Sequence, residues 1–232
     1  MIEGSSIKPV HAIVPVKVPS KSKMRLSRRL NAVERTSLTI SMLITVLTAL
    51  RKAQSVASVT VVCADRRLRQ LVEACDASFL WEGRERGLNR ALNFALKNMP
   101  HGIPILIIHA DLPFLTPEDV DCLAMKAQTY PLTLVPSKDA TGTNAIVMQS
   151  PNLIKLAFGK ESFGKHVMLA KKAKVRHESL RIYGIAFDVD EEQDLDELIR
   201  WQGEREDSKF PVELIPRSRG RTPRMPATAQ TL

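Results

Sequence analysis

Short apolar runs alternate along this chain with segments whose apolar residues recur every three or four positions. The run Val10–Val16 predicts a buried strand that ends at Pro15-Val16-Lys17. A polar loop follows, and Asn31 with Glu34 three residues on has the pattern of a capping box. Leu38, Met42, Val46 and Leu50 then recur at helical spacing, which predicts a helix to about Lys52. Val56–Cys63, rich in β-branched residues, predicts a second strand. Asp65 caps a helix carrying Leu68, Leu71 and Val72, and Ala77–Trp81 predicts a short third strand. Gly87–Lys97 predicts a helix with Leu88, Ala91, Leu92 and Ala95 on one side. Ile103–His109 is the clearest central strand, and it runs into Ala110-Asp111-Leu112-Pro113.

Thr116-Pro117-Glu118-Asp119 combines a cap, a proline in the first turn and acids at the positive end of a helix. Leu132–Val135 and Asn144–Met148 predict strands, Pro151–Phe158 and Ser162–Lys172 helices, and Val175–Leu180 an extended segment. Ile185–Val189 predicts a last strand and Glu192–Trp201 a final helix. Strands alternating with helices imply an α/β fold, a Rossmann-like, mostly parallel sheet with helices on both faces. The closely spaced extended segments after residue 131 predict a small antiparallel insertion. The chain shows no internal repeat. One domain is expected over residues 9–202, between a flexible N-terminus (1–8) and a flexible basic tail (203–232) rich in Pro, Arg, Ser and Thr.

With 232 residues, the chain buries enough surface to fold without disulfides or structural metals. Cys63, Cys75 and Cys122 are scattered, odd in number and free of any CxxC pattern, which excludes a disulfide framework or zinc ribbon and predicts a reducing, cytoplasmic setting. Met1–Pro9 lacks the apolar core of a secretory leader. Taken as the longest apolar stretch, Ile103–Ala110 is too short to span a bilayer, so no membrane is expected as a partner.

The formal net charge of +9 suggests nucleic acid until its distribution is considered. Lys17, Lys21, Lys23, Arg25, Arg28 and Arg29 crowd one loop, and Arg217, Arg219, Arg221 and Arg224 lie in the tail. Without these, 24 basic residues face 25 acidic ones. A basic loop beside a strand suits a polyphosphate, whereas a duplex asks for a basic face. Aromatic content is 5%, and basic residues do not interleave with aromatic ones, so nucleic acid is not the expected partner.

In open α/β sheets, ligands gather at the carboxyl ends of the strands. Three features fall there: the basic loop after the first strand, Asp111 after the central one, and Asp188 and Asp190 at the last. Asp111 could cap a turn or ligate a metal. Asp188 and Asp190, two residues apart, point to one side of an extended chain and repel unless a cation lies between them. With Asp111 they make a plausible oxygen site for Mg2+. Neither GxxxxGK[ST] nor GxGxxG occurs, which excludes a P-loop and a typical dinucleotide fold. Thr141-Gly142-Thr143-Asn144 offers hydroxyls and an amide beside a glycine, and Gly159 and Ser162 precede a helix whose first N–H groups suit an anion. Each also reads as an ordinary turn or cap. Asn89 opens a helix with an amide available to a base or ribose, or as a plain cap. His166, one turn past Ser162, is a further candidate for the anion, with packing its more economical reading.

The ordered set Pro15-Val16-Lys17, Lys23-x-Arg25-Leu26, Gly87-Leu88-Asn89-x-Ala91-Leu92, Ala110-Asp111-Leu112-Pro113, Gly142-Thr143-Asn144-Ala145, Phe158-Gly159-x-x-Ser162-Phe163 and Asp188-Val189-Asp190 resembles the CofC/FbiD family over residues 10–200. These are the guanylyltransferases of coenzyme F-420 biosynthesis, related to MobA-like nucleotidyltransferases but lacking their Gly-Gly-rich loop, whose place Lys17–Arg25 takes. The resemblance implies a nucleotide-diphospho-sugar transferase-like fold with its antiparallel insertion near the acceptor. It also implies GMP transfer from GTP to 2-phospho-L-lactate, phosphoenolpyruvate or 3-phospho-D-glycerate, with pyrophosphate released. By motif, Asp111, Asp188 and Asp190 would hold Mg2+, and Lys17, Lys23, Arg25 and Asn89 would meet GTP. Lys17, Lys23, Arg25 and Asp111 would serve catalysis, while Thr143, Asn144, Gly159 and Ser162 would bind the acceptor. His109 departs from the family, where a proline often stands. A homodimer is the base-rate expectation.

Overall fold

All seven residues of β1 (Val10–Val16) are buried, because this strand lies mid-sheet with parallel neighbours on both sides. The computed structural model describes residues 8–99 and 102–203. Residues 1–7 and 204–232, nearly all of the expected flexible N-terminus and basic tail, lie outside the described residues.

The remaining strands are β2 (Val56–Cys63), β3 (Ser78–Trp81), β4 (Ile105–Ile108), β5 (Leu132–Pro136), β6 (Thr143–Met148) and β7 (His177–Ser179). The helices are α1 (Ala32–Lys52), α2 (Arg69–Ala74), α3 (Leu88–Lys97), α4 (Pro117–Lys126), α5 (Ser162–Lys172), α6 (Tyr183–Ala186) and α7 (Glu192–Gly203). Together the strands form one sheet in the order β3-β2-β1-β4-β6-β5-β7. Only β6 runs against its neighbours β4 and β5; the other pairings are parallel. The expected mostly parallel sheet with an antiparallel insertion is what forms.

Local signals set the helix ends. Asn31 Oδ1 accepts from the Val33 and Glu34 amides while the Glu34 carboxylate accepts from the Asn31 amide, closing a capping box that stabilises α1 by about 1 kcal/mol. Thr116 and Asp119 close the equivalent box on α4. Helices cover both faces of the sheet. Val14, Val61, Leu106 and Val147 pack on one side with Leu47 of α1 and Leu123 of α4. Ile13, Val62, Ile107 and Ile146 pack on the other with Leu92 of α3 and Ala170 of α5. A third cluster joins Leu26, Leu38, Phe114, Phe187 and Leu198 of α7 beneath the basic loop. By length and composition α1, rather than the shorter Ile103–Ala110, is apolar enough to cross a membrane; 56% of its most apolar window is buried inside the protein.

Two predicted elements differ. Residues 151–158 form no helix: Ile154, Leu156 and Phe158 are buried at alternate positions, the period of extended chain. Their backbone donors go to side chains instead, Ala157 N–H to His166 Nε2 and Phe158 N–H to Asn89 Oδ1. The predicted strand 185–189 begins inside α6 and continues as extended chain outside the sheet, with Phe187 and Val189 buried in the third cluster.

At its start β6 carries one extra residue. Val135 faces Ala145 but Pro136 faces Thr143, so Asn144 bulges from the ladder. Bulges of this kind re-aim side chains beside functional sites.

Candidate active site

The carboxyl ends of β1 and β4 open onto a cavity of about 660 Å³ bordered by Val16, Lys17, Lys23, Val62, Leu88 and Asp111. Asp111 stands at its inner end, three residues beyond β4. Val189 N–H donates to the Asp111 carbonyl at 3.4 Å, which ties the segment after α6 alongside. Because Val189 is buried, Asp188 and Asp190 turn the opposite way, toward Asp111. One ligand oxygen from each of the three carboxylates lies within 4.8 Å of the others. That spacing suits joint ligation of one divalent cation. Asp111 Oδ1 is buried and has no hydrogen-bond partner among the described residues, a vacancy in its bonding that a cation would fill.

Lys23 reaches into this group from the basic loop. Its ammonium donates to Asp111 Oδ2 at 2.5 Å and to Asp190 Oδ1 at 2.8 Å, with only 6% of its side chain exposed. A left-handed backbone (φ 53°) at Lys23 and the buried Leu26 just beyond it fix the approach. Burial pushes the Lys23 pKa down, but Asp111 and Asp190 outweigh it and hold the ammonium above its ordinary value. Burial likewise raises Asp111, yet the Lys23 charge, with His109, leaves this carboxyl below the usual range. Asp188 goes the other way. Burial first, then the charge of Asp111, push it up to about 6, against the hydrogen bond from Asn144.

The expectation that Asn144 faces the acceptor is corrected. Its amide donates to the Ile185 carbonyl (3.0 Å), the Ala186 carbonyl (3.1 Å) and Asp188 Oδ1 (3.1 Å), so the bulged residue aims a carboxylate instead. Asn89 is corrected as well. Each end of its amide bonds the Phe158 backbone at 2.9 Å, clamping α3 to the segment before Gly159, and Asn89 is not among the residues bordering the cavity. Lys17 is exposed at the cavity rim. Arg25 is not brought into the cavity: its guanidinium meets Glu191 at 3.3 Å on the surface, both side chains well exposed.

Thr143, Ser162 and His166 form a buried cluster. The Ser162 hydroxyl donates to Thr143 Oγ1 at 3.3 Å, and His166 Nδ1 lies 3.0 Å from the same oxygen. Ala157 N–H can only donate, so His166 Nε2 (2.9 Å) is the acceptor and the neutral ring carries its proton on Nδ1. Thr143 Oγ1 therefore accepts twice, which leaves its own proton to point elsewhere. Burial holds His166 down at about 4. Fully buried and with both ring nitrogens engaged, His166 supports the cluster. Gly159 (φ 116°) makes the turn into α5, where its carbonyl accepts from Ser162 N–H and the Thr141 carbonyl accepts from Phe163 N–H. Those two N–H groups of the α5 start are thus already engaged, contrary to the expectation of free donors.

Sequence reasoning also passed over Glu82, which lies in the cavity wall just beyond β3. Its position past a strand end, in Trp81-Glu82-Gly83, was the available signal.

The sequence profile described as "Guanylyl transferase CofC like" matches residues 10–213. The chain belongs to this family. Among its CofC-like relatives, a phosphoenolpyruvate guanylyltransferase of Sphaerobacter thermophilus is 35% identical over 190 residues, covering 81% of this chain and 91% of that one. A 2-phospho-L-lactate guanylyltransferase of Methanocorpusculum labreanum is 33% identical over 190 residues, 82% of each. Among solved structures, a nucleotidyl transferase of Methanothermobacter thermautotrophicus superposes with a TM-score of 0.58 at 14% identity, covering 84% of this chain and 99% of that one. A 4-diphosphocytidyl-2C-methyl-D-erythritol synthase also gives 0.58, at 13% identity, with 84% and 98% covered. At such identities the likeness is one of fold. This CofC-like chain is a nucleotidyltransferase.

Proposed function

We propose that the chain transfers GMP from GTP to a small phosphorylated three-carbon acid, releasing pyrophosphate, as a step of coenzyme F-420 biosynthesis. The acceptor is phosphoenolpyruvate, 2-phospho-L-lactate or 3-phospho-D-glycerate, and the phosphoenolpyruvate enzymes among the relatives, 35% identical in the case cited, favour the first. One observation carries the reading: three carboxylates from two chain segments converge at one end of the nucleotide-sized cavity, with a lysine among them.

In the reaction, an acceptor phosphate oxygen attacks the α-phosphorus of GTP. The new bond is O–P to the α-phosphorus, the bond broken joins that phosphorus to the β-bridging oxygen, and pyrophosphate leaves with the electron pair. The acceptor phosphate is ionised at neutral pH, so the chain need supply no general base. Asp111, Asp188 and Asp190 would hold Mg2+. When bound, the ion supplies charge neutralisation at the α-phosphate. Lys23, already an ammonium within the carboxylate group, and Lys17 at the rim carry positive charge to the triphosphate and to departing pyrophosphate. The hydroxyl of Thr143, its lone pairs occupied by Ser162 and His166, directs its proton toward an acceptor oxygen.

A nucleic-acid reading of the basic loop loses support from the same geometry. Lys21, Lys23, Arg25 and Arg29 are each paired with an acid, which leaves two of the loop's six cations, Lys17 and Arg28, without an acidic partner among the described residues. The free cysteines accord with a cytoplasmic setting. Incubating the protein with GTP, MgCl2 and each of the three acids, followed by mass spectrometry, tests the proposal. A guanylylated acid is expected from at least one, and none from any would sink it.

A further inference from the structure

The cavity extends well beyond the carboxylate group. It runs past the ends of β1 and β2 to the loop after β3, where Glu82 stands. In the order β3-β2-β1-β4, three strand-to-strand steps separate the strand before Glu82 from the strand before Asp111. At about 4.8 Å per step this is on the order of 14 Å, a length that a nucleoside phosphate covers from its α-phosphorus to the outer edge of its base. Between the two ends, the buried Val62 and Ala91, with Leu88, give an apolar floor of the kind a flat ring lies on.

Glu82 is half-buried, and among the described residues no hydrogen bond or ion pair reaches its carboxylate. Its neighbour Glu85 is by contrast exposed and lies 3.7 Å from the Lys21 ammonium. Burial and the charge of Glu85 push the Glu82 pKa up, against the pull of Arg86, so this carboxylate stands short of donors. Ionised, it accepts only, through two oxygens side by side. The pairing edge of guanine presents two adjacent donors, N1–H and the 2-amino group. Adenine presents a bare N1, whose lone pair faces a carboxylate unfavourably, and a site built for donors rejects a base without them.

Resting on the GMP-transfer reading, we propose that Glu82 reads the guanine base and sets the preference of this chain for GTP over ATP. The base lies over Val62, Leu88 and Ala91 with N1–H and the 2-amino group toward Glu82, which leaves the α-phosphate at the Asp111 end. Inosine triphosphate, which keeps N1–H and lacks the amine, ranks between the two.

Isothermal titration of the full chain with GTP, inosine triphosphate and ATP, with Mg2+ and no acceptor acid, tests this directly. The wild type should bind GTP tightest and ATP weakest. In Glu82→Gln, GTP should weaken by about 10- to 100-fold, the loss expected for charge-assisted hydrogen bonds, inosine triphosphate by less, and ATP little or not at all. Glu82→Asp keeps the charge on a shorter arm and should fall between, and it carries the test if Glu82→Gln does not fold. An unchanged GTP-to-ATP ratio in a folded variant, or equal binding of both by the wild type, overturns the assignment. Because no acceptor is present, the result stands apart from the proposed reaction. Failure of every acid to react leaves it readable, and turnover with an unaltered base preference in Glu82→Gln sinks the assignment alone.

Discussion

The Lys23 ammonium sits 2.5 Å from Asp111 Oδ2 while also touching Asp190, so a cation from the protein itself already occupies the space between two carboxylates of different segments. Replacing it by methionine leaves those carboxylates facing one another with nothing between them. Lys23→Met should destabilise the metal-free protein by about 2 kcal/mol, less than for a fully enclosed pair because Asp190 is half exposed. Mg2+ should then raise the melting midpoint of the variant more than that of the wild type, since it would be the sole counter-charge. Thermal scans with and without MgCl2 provide the comparison, and equal shifts would show that the ammonium and the metal do not share a place.

Asp111 contributes one oxygen to Lys23 and keeps another buried without a partner. Asp111→Asn retains the shape and removes the charge. Pyrophosphate release should drop by at least about 1,000-fold, the scale seen when a charge-stabilising group is lost, with the far-ultraviolet spectrum unchanged. Turnover near the wild-type rate would remove Asp111 from the chemistry.

Asn144 holds Asp188 through one of three contacts that share the two protons of its amide nitrogen. Its replacement by alanine should weaken Mn2+ binding, followed by electron paramagnetic resonance, by about 10- to 100-fold, as for other groups that orient a ligand. If Mn2+ affinity held while the KM for the acid rose, Asn144 would return to the acceptor role its neighbourhood in sequence suggests.

His166 titrates at about 4 in the folded chain, against an ordinary value of 6.5. Between those values the unfolded chain takes up a proton that the folded chain refuses. Stability therefore falls as pH falls through this window, by about 3 kcal/mol at its lower end, and gains no pH dependence from this group above 6.5. Urea titrations across pH 4–7 should show a shallower slope in His166→Gln. Burial lowers His109 and His11 too, so part of the slope remains. An identical slope in wild type and variant would mean that His166 is not the group responsible.

Much of this arrangement is legible in the residues. The caps at Asn31 and Thr116 and the apolar run before Asp111 each act through nearest neighbours, and the structure bears them out at two helix starts and a strand end. What sequence did not show depends on partners distant in the chain. In Pro151–Phe158, predicted as a helix, the alternation of Ile154, Leu156 and Phe158 fits extended chain, which the distant His166 and Asn89 hold by claiming the amides of Ala157 and Phe158. Asn89 and Asn144 carry amides suited to ligands, and only the packed chain shows them already engaged, 69 and 44 residues away respectively. Arg25 belongs to the basic loop by position but is drawn aside by Glu191, which the sequence places 166 residues later.

The bulge in β6 sets a polarity within one dipeptide. Thr143 leans to the helix that carries His166, and Asn144 turns to the segment that carries Asp188. A strand keeps its parity, so removing one residue here would swap the two directions at a stroke: a hydroxyl would meet the Asp188 carboxylate, and an amide would press against a filled imidazole cluster. Point substitutions in this strand should be survivable one at a time, whereas a single-codon deletion strikes both halves of the centre together. Length, more than identity, is what this corner of the sheet has to conserve.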